Sequence, residues 1–236
     1  MIDPENTIIV IPARMAAMGL AGKPLADVNG KPLVIHTLQQ AKAANLGAVL
    51  VAASDHTLAE VIRKQGGDAI ATSPNHASGF ARAAEALRLR DPKQHFSHVL
   101  ILPCDLPRIE LLSLRRCLAG LINAQVEIAT LAVPLSADNT AASTKLIAPL
   151  NGDREVAWIR ELPAKDVNSD DLYAHLGVFA LRRATLEKLA SVENAQSLAE
   201  AASELGIRIA AVKVDTMPLR VDTPARLEQA RREMKG

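Results

Sequence analysis

The chain has 236 residues and is nearly neutral, with 27 lysines and arginines against 26 aspartates and glutamates. Apolar residues make up 49% and charged ones 22%, the make-up of a globular chain that buries a sizeable core rather than of an acidic solvating tail. A net charge of +1 argues against a polycation that binds nucleic acid by charge alone, and 2% aromatics argue against a base-stacking single-strand binder.

The acidic start at 1–6 does not read as a secretory signal and leads straight into 7–12, a β-branched run closed by Pro12 that predicts a buried strand. A loop at 13–31 carries three glycines and runs up to the second of two Lys-Pro pairs. From Pro32 onward Leu33, His36, Thr37, Gln40, Ala41 and Ala44 recur at helical spacing, closing near Gly47. Residues 48–53 read as a second strand with Ser54, Asp55 and His56 at its carboxyl end. A helix at 57–65 stops at Gly66-Gly67, a short strand follows at 69–72, and a third helix runs over 78–90. The strand at 98–102 ends in Pro103-Cys104-Asp105-Leu106-Pro107.

Strand and helix alternating at this pitch predict βαβ units, hence an α/β fold with a mostly parallel sheet and helices on both faces. Ligands of such sheets sit beyond the carboxyl ends of the strands. That rule gathers 13–23, Asp55-His56 and Asp105 into one neighbourhood.

The second half is less regular. Strands are expected at 126–133, 176–181 and 207–214, with two more at 144–149 and 155–160 about an Asn151-Gly152-Asp153 turn. Residues 137–143 are loop-like. Helices are expected at 184–189, 197–206 and 224–234, the last capped by Asp222 or Thr223. The economical reading is one domain over 1–236 with a small inserted lobe at roughly 133–178. No apolar run reaches the ~18 residues of a membrane span. Cys104 and Cys117 are too few for a disulfide framework or a four-cysteine zinc site, so a soluble cytoplasmic protein with reduced thiols is expected.

In the loop after the first strand, Arg14 and Lys23 add a forked and a point cation to a glycine-bearing backbone that can approach a ligand closely, a combination suited to a triphosphate. The P-loop spacing is absent, and a surface loop with incidental cations fits as well. Asp105, at a strand end between prolines, is placed either to bind a hard divalent cation or to serve as a turn or cap aspartate. Asp222 has the same two readings. Of six histidines, His56 and His175 sit at strand edges facing one end and are the candidates for substrate contact; His36, His76, His95 and His98 are not. No Ser-His-Asp or Cys-His arrangement suggests a protein nucleophile.

Eight stretches, in order, resemble the 3-deoxy-manno-octulosonate (Kdo) cytidylyltransferases: Ile-Pro-Ala-Arg at 11–14, Gly-Lys-Pro-Leu at 22–25, Asn-Gly-Lys-Pro at 29–32, Asp55-His56, His-Ala-Ser-Gly at 76–79, Ala-Thr-Leu-Ala-Val-Pro at 129–134, His-Leu-Gly at 175–177 and Val-Asp-Thr-Pro at 221–224. The resemblance implies a Rossmann-like nucleotidyltransferase fold, a homodimer, and CTP plus Kdo, or a related sugar acid, going to the CMP-sugar and pyrophosphate with Mg²⁺ in lipopolysaccharide synthesis. It implies that Arg14 and Lys23 hold the triphosphate and act with Asp105 in catalysis, and that Asp105 and Asp222 hold magnesium. Ser78, Gly79 and Arg82 would line the cytidine pocket with Ala13 near the base, and Arg160 and His175 would face the sugar acid.

The chain departs from the family pattern at Ala17 for Ser, Gly19 for Arg, Ala21 for Pro, Phe80 and Ala81 for Thr-Glu, and Pro103 for Gln; 197–203 lacks the family's Glu-Gln segment. Two further readings stay open: a non-catalytic or regulatory paralogue with a degraded nucleotide loop, and a nucleotidyltransferase for another base or acceptor. Replacing Gly19 by Arg and Ala17 by Ser is expected to tighten CTP binding.

Overall fold

A computed structural model describes residues 3–15, 19–122, 126–134, 145–147, 172–192 and 195–235. Its first strand, Thr7–Ala13 (β1), alternates side chains between two apolar layers, Ile9, Ile11 and Ala13 to one side and Ile8 and Val10 to the other. A strand covered on both faces needs apolar residues at every position, which this run supplies. The predicted loop after it contains a single turn of 3₁₀ helix, Lys23–Leu25, and a small hairpin of β2 (Asp27–Val28) and β3 (Lys31–Pro32). The hairpin turns at Asn29 and Gly30, both with positive φ (52° and 85°), the conformation that an Asn-Gly pair adopts most readily.

Helix α1 (Leu33–Ala43) leads to β4 (Ala48–Ala53), α2 (His56–Lys64), β5 (Ala69–Ala71), α3 (Gly79–Arg90) and β6 (His98–Ile101). All of these lie within a residue or two of their expected places. An additional helix beyond those expected, α4 (Leu111–Ala119), precedes β7 (Ile128–Pro134). Strand β8 (Lys145–Ile147), the long β9 (Leu172–Arg182), α5 (Arg183–Ala190), α6 (Leu198–Glu204), β10 (Ile209–Lys213) and α7 (Pro224–Glu233) complete the described chain. Thr223, not Asp222, caps α7, its hydroxyl accepting from the amide of Arg226 at 3.3 Å. The turn expected at Asn151-Gly152-Asp153, the strand at 155–160 and most of the inserted lobe lie outside the described residues.

The main sheet runs β10-β7-β9-β6-β1-β4-β5, with β8 paired to β9. Every pair is parallel except those of β9, which is antiparallel to β6, β7 and β8. Helices α1, α2 and α4 cover one face through Val34, Leu38, Ile62, Leu114 and Leu118, and α3, α5 and α6 cover the other through Ala83, Leu87, Leu186, Leu189 and Ala202. A third cluster packs α7 (Leu227, Ala230) and Val221 against Val28 and Leu33, so the end of the chain is fastened to the hairpin beside the first loop. No helix among the described residues is long and apolar enough to cross a membrane.

Candidate active site

Beyond the carboxyl ends of β1 and β6, and beside β9, lies a cavity of about 700 Å³, the size of a site for a nucleotide-sized molecule. Its floor carries Asp105, 4% exposed, in the turn after β6. Two bonds fix that turn: the Thr37 hydroxyl donates to the Cys104 carbonyl at 2.9 Å, and the Val221 amide donates to the Asp105 carbonyl at 2.9 Å. Lys23 Nζ donates to Asp105 Oδ2 at 2.7 Å, and Arg220 Nη1 reaches Oδ1 at 3.4 Å. A buried carboxylate is thus held between two cations, one from the first loop and one from the segment before α7, which offsets the cost of burying its charge.

Asp222 lines the same cavity, one residue beyond the Val221 amide that binds the Asp105 turn. Among the described residues its carboxylate has no hydrogen-bond or ion-pair partner, and no cluster of three His, Cys, Asp or Glu side chains forms. Two carboxylates on the lining of one cavity are the donor type that suits Mg²⁺, which binds through one or two carboxylates and completes its shell with water and substrate phosphate.

Arg14, exposed, stands on the cavity wall just past β1, and Ala13, 1% exposed, forms part of that wall. Ser78 caps α3, its Oγ accepting from Ala81 N at 3.4 Å, and Gly79 opens the helix at the cavity edge. Arg82 borders the cavity but is only 2% exposed, and its guanidinium is occupied. It donates to Thr72 Oγ1 at 2.7 Å, to the Ser73 carbonyl at 2.9 Å and to the Pro74 carbonyl at 3.4 Å. Burial, and then the charge of Arg14, draw its pKa down. Its work is to hold the 72–74 segment, which leads into the pocket-lining residues 76–79.

The same segment has a second clamp, which no motif in the sequence marks. Glu85 on α3 accepts from the Ser73 amide at 2.9 Å and pairs with His76, a histidine set aside as a loop residue. Burial raises the Glu85 pKa, but the bonds from His76 and Ser73 outweigh it and hold the carboxyl below its ordinary value. The signal available in the sequence was the placement of Glu85 on the same face of α3 as Arg82.

His175 on β9 also lines the cavity. Its Nδ1 accepts from the Gly177 amide at 3.1 Å, which leaves the imidazole proton on Nε2, and the ring packs on Phe179 with centroids 5.8 Å apart. Burial, and then the charge of Arg220, push its pKa down to about 4, so it is neutral near pH 7. Cys104 is part of the cavity lining, but burial drives its thiol up to about 12, and it is no nucleophile.

Two expectations fail. His56 is exposed as the first residue of α2 and lies outside the cavity, and Asp55 is spent as the cap of that helix, accepting from Leu58 N at 2.8 Å. The strand-end rule places residues near an edge of the sheet, but the helix start claims these two. Arg160 and Ala17 lie outside the described residues.

A family model described as cytidylyltransferase matches residues 8–229. The 3-deoxy-manno-octulosonate cytidylyltransferase of Paramagnetospirillum magneticum is 37% identical over 243 residues, which cover 97% of this chain and 98% of that protein. The protein of the same name from Rhodopseudomonas palustris is 36% identical over 241 residues, 98% of each. A solved structure of CMP:2-keto-3-deoxy-manno-octonic acid synthetase complexed with CTP is similar with a TM-score of 0.81 at 29% identity, over 98% of each chain. The 4-diphosphocytidyl-2C-methyl-D-erythritol synthase of Anaerococcus prevotii, at TM-score 0.68 and 13% identity, shares the fold.

Proposed function

The chain belongs to the cytidylyltransferase family, and from that premise we propose that it is a 3-deoxy-manno-octulosonate cytidylyltransferase, transferring CMP from CTP to Kdo or a related sugar acid for lipopolysaccharide synthesis. The observation that carries the reading is the Lys23–Asp105 pair at 2.7 Å in a cavity that Arg14 and Asp222 also line.

In the reaction the sugar's anomeric oxygen forms a bond to the α-phosphorus, the bond from that phosphorus to the bridging oxygen breaks, and pyrophosphate leaves with the electron pair. The hydroxyl proton is lost in the attack. Such transfers depend on positioning and on charge neutralisation. Arg14 and Lys23 hold the triphosphate, Ser78 and Gly79 border the cytidine with Ala13 near the base, and Arg82 keeps the neighbouring wall in place. His175, neutral and protonated at Nε2, offers a donor to the sugar acid, as does Arg160. Mg²⁺, when bound, would be held by Asp105 and Asp222 and supplies neutralisation of the phosphate charge. The family resemblance also supports a cytoplasmic homodimer; light scattering that returns 25.2 kDa rather than twice that overturns the dimer.

The test is pyrophosphate release with Mg²⁺, Kdo and each of the four nucleoside triphosphates in turn. Turnover that requires both CTP and Kdo, and that Asp105→Asn lowers by about 100-fold or more, is expected. Turnover with GTP but not CTP would assign another nucleotide to the site. No turnover, together with no heat of CTP binding at millimolar concentration, would make the chain a non-catalytic paralogue.

A further inference from the structure

Arg220 lies in the extended segment between β10 and α7, where the sequence showed no motif to single it out. Its guanidinium is pinned from two sides. Nη1 reaches Asp105 Oδ1 at 3.4 Å and Nη2 donates to the Leu176 carbonyl at 2.5 Å. These contacts use one N–H of each terminal nitrogen, and the remaining N–H groups have no partner among the described residues. The side chain is 29% exposed and borders the cavity. It is therefore a forked donor with part of its capacity open toward bound substrate.

The position of the fork decides which substrate group it meets. Lys23 holds the other oxygen of Asp105, so the two cations flank the carboxylate from different sides. Arg220 is on the side of β9. A Cβ on Gly177 would stand 3.6 Å from its Nη2, and its charge is one of the two causes that depress the His175 pKa. Lys23 and Arg14 belong to the segment that follows β1. Arg82, the other arginine of the cavity, is spent on the 72–74 segment. The β9 side therefore has one forked cation with open donors among the described residues, next to a neutral imidazole.

We infer that Arg220 binds the carboxylate of the acceptor sugar acid, and that it makes the enzyme select an acidic acceptor over a neutral one. A planar guanidinium matches a carboxylate in two-pronged geometry, and one already anchored by Asp105 and Leu176 loses little freedom on binding. Its bond to Asp105 also keeps the incoming carboxylate from meeting that buried charge unscreened. The inference rests on the transferase reading above.

The experiment compares wild type with Arg220→Met and Arg220→Lys, using Kdo and its carboxamide as acceptors and measuring KM for acceptor and for CTP separately. Arg220→Met is expected to raise KM for Kdo about 10- to 100-fold, as for loss of a charge-assisted pair. It should leave KM for CTP within about twofold and abolish the preference for acid over amide; Arg220→Lys recovers part of the loss. A rise in KM for CTP instead would mean that the fork meets a phosphate, and would overturn the assignment. So would a preference for the acid that survives in Arg220→Met. Coincident thermal unfolding of wild type and Arg220→Met serves as the control for folding. If wild type shows no turnover, the transferase reading has failed on its own account. Calorimetric titration of Kdo into wild type and Arg220→Met then decides: equal heats, or none in either, overturn the inference, and binding lost only in the variant supports it.

Discussion

At position 19 the backbone is left-handed, φ +88°, and a Cβ there would stand 2.6 Å from the carbonyl oxygen of Asp222. The sequence expectation that an arginine at this place tightens CTP is therefore reversed. Gly19→Arg forces either its own loop or the Asp222 backbone to give way, in a cavity that both line. Calorimetry should show CTP affinity, in the presence of Mg²⁺, falling by about tenfold, from strain of roughly 1–2 kcal/mol at a left-handed non-glycine residue. A gain in affinity would show that the backbone yields without cost. Individual site residues were legible in proportion to how local their signal is. Lys23 and Asp105 follow strands, and the strand-end rule finds them. Arg220 meets Asp105 across 115 positions of chain, and its neighbour Leu176 belongs to a strand whose direction in the sheet the sequence does not announce. His76 lies in a loop by sequence, and only the fold brings Glu85 of α3 beside it.

Between elements, the end of α3 and the start of α5 are tied by a buried ion pair. Arg183 Nη1 donates to Asp91 Oδ2 at 2.6 Å and Nη2 to the Asp91 carbonyl at 3.0 Å, while the amides of His95 and Phe96 donate to the same carboxylate. Burial raises the Asp91 pKa, but these donors outweigh it and hold the carboxyl below its ordinary value. Arg183→Met leaves that buried carboxylate without its counter-charge and should cost about 3–5 kcal/mol in urea unfolding. The pair is remote from the cavity, so KM values of the folded variant should not move. The same scale explains why α4 was missed. It carries Leu114, Cys117 and Leu118 at helical spacing, but it begins at Glu110, with no side-chain cap bond to mark the start. By contrast α3 and α6 open on Ser78 and Ser197, residues whose capping preference can be read directly.

For the whole molecule, acid sensitivity follows from His175 and, in part, the half-buried His98, which folding disfavours in the charged form. Burial and Arg220 hold His175 at about 4 in the folded chain, while the unfolded chain takes up that proton near 6.5. Burial, and then Arg182, also lower His98. Unfolding therefore binds protons between those values, and stability is fully present above pH 6.5 and lost as the pH falls toward 4. Each histidine contributes at most about 1.4 kcal/mol per pH unit. Thermal melts should be flat from pH 8 to 7 and decline below 6.5, and His175→Gln should flatten part of that decline. An unchanged slope in the variant would assign the acid sensitivity to other groups.

The place of β9, late in the chain yet between β7 and β6 in the sheet, has a temporal consequence. A nascent chain leaving the ribosome can assemble β5-β4-β1-β6 from its first hundred or so residues, because each strand finds its neighbour among those already made. The outer edge of β6 and both edges of β7 then wait, since β9 and β10, their remaining partners, are synthesised last. Until Lys213 has emerged, the growing polypeptide carries open hydrogen-bonding edges on apolar strands, the interval in which it most needs shielding from other copies of itself.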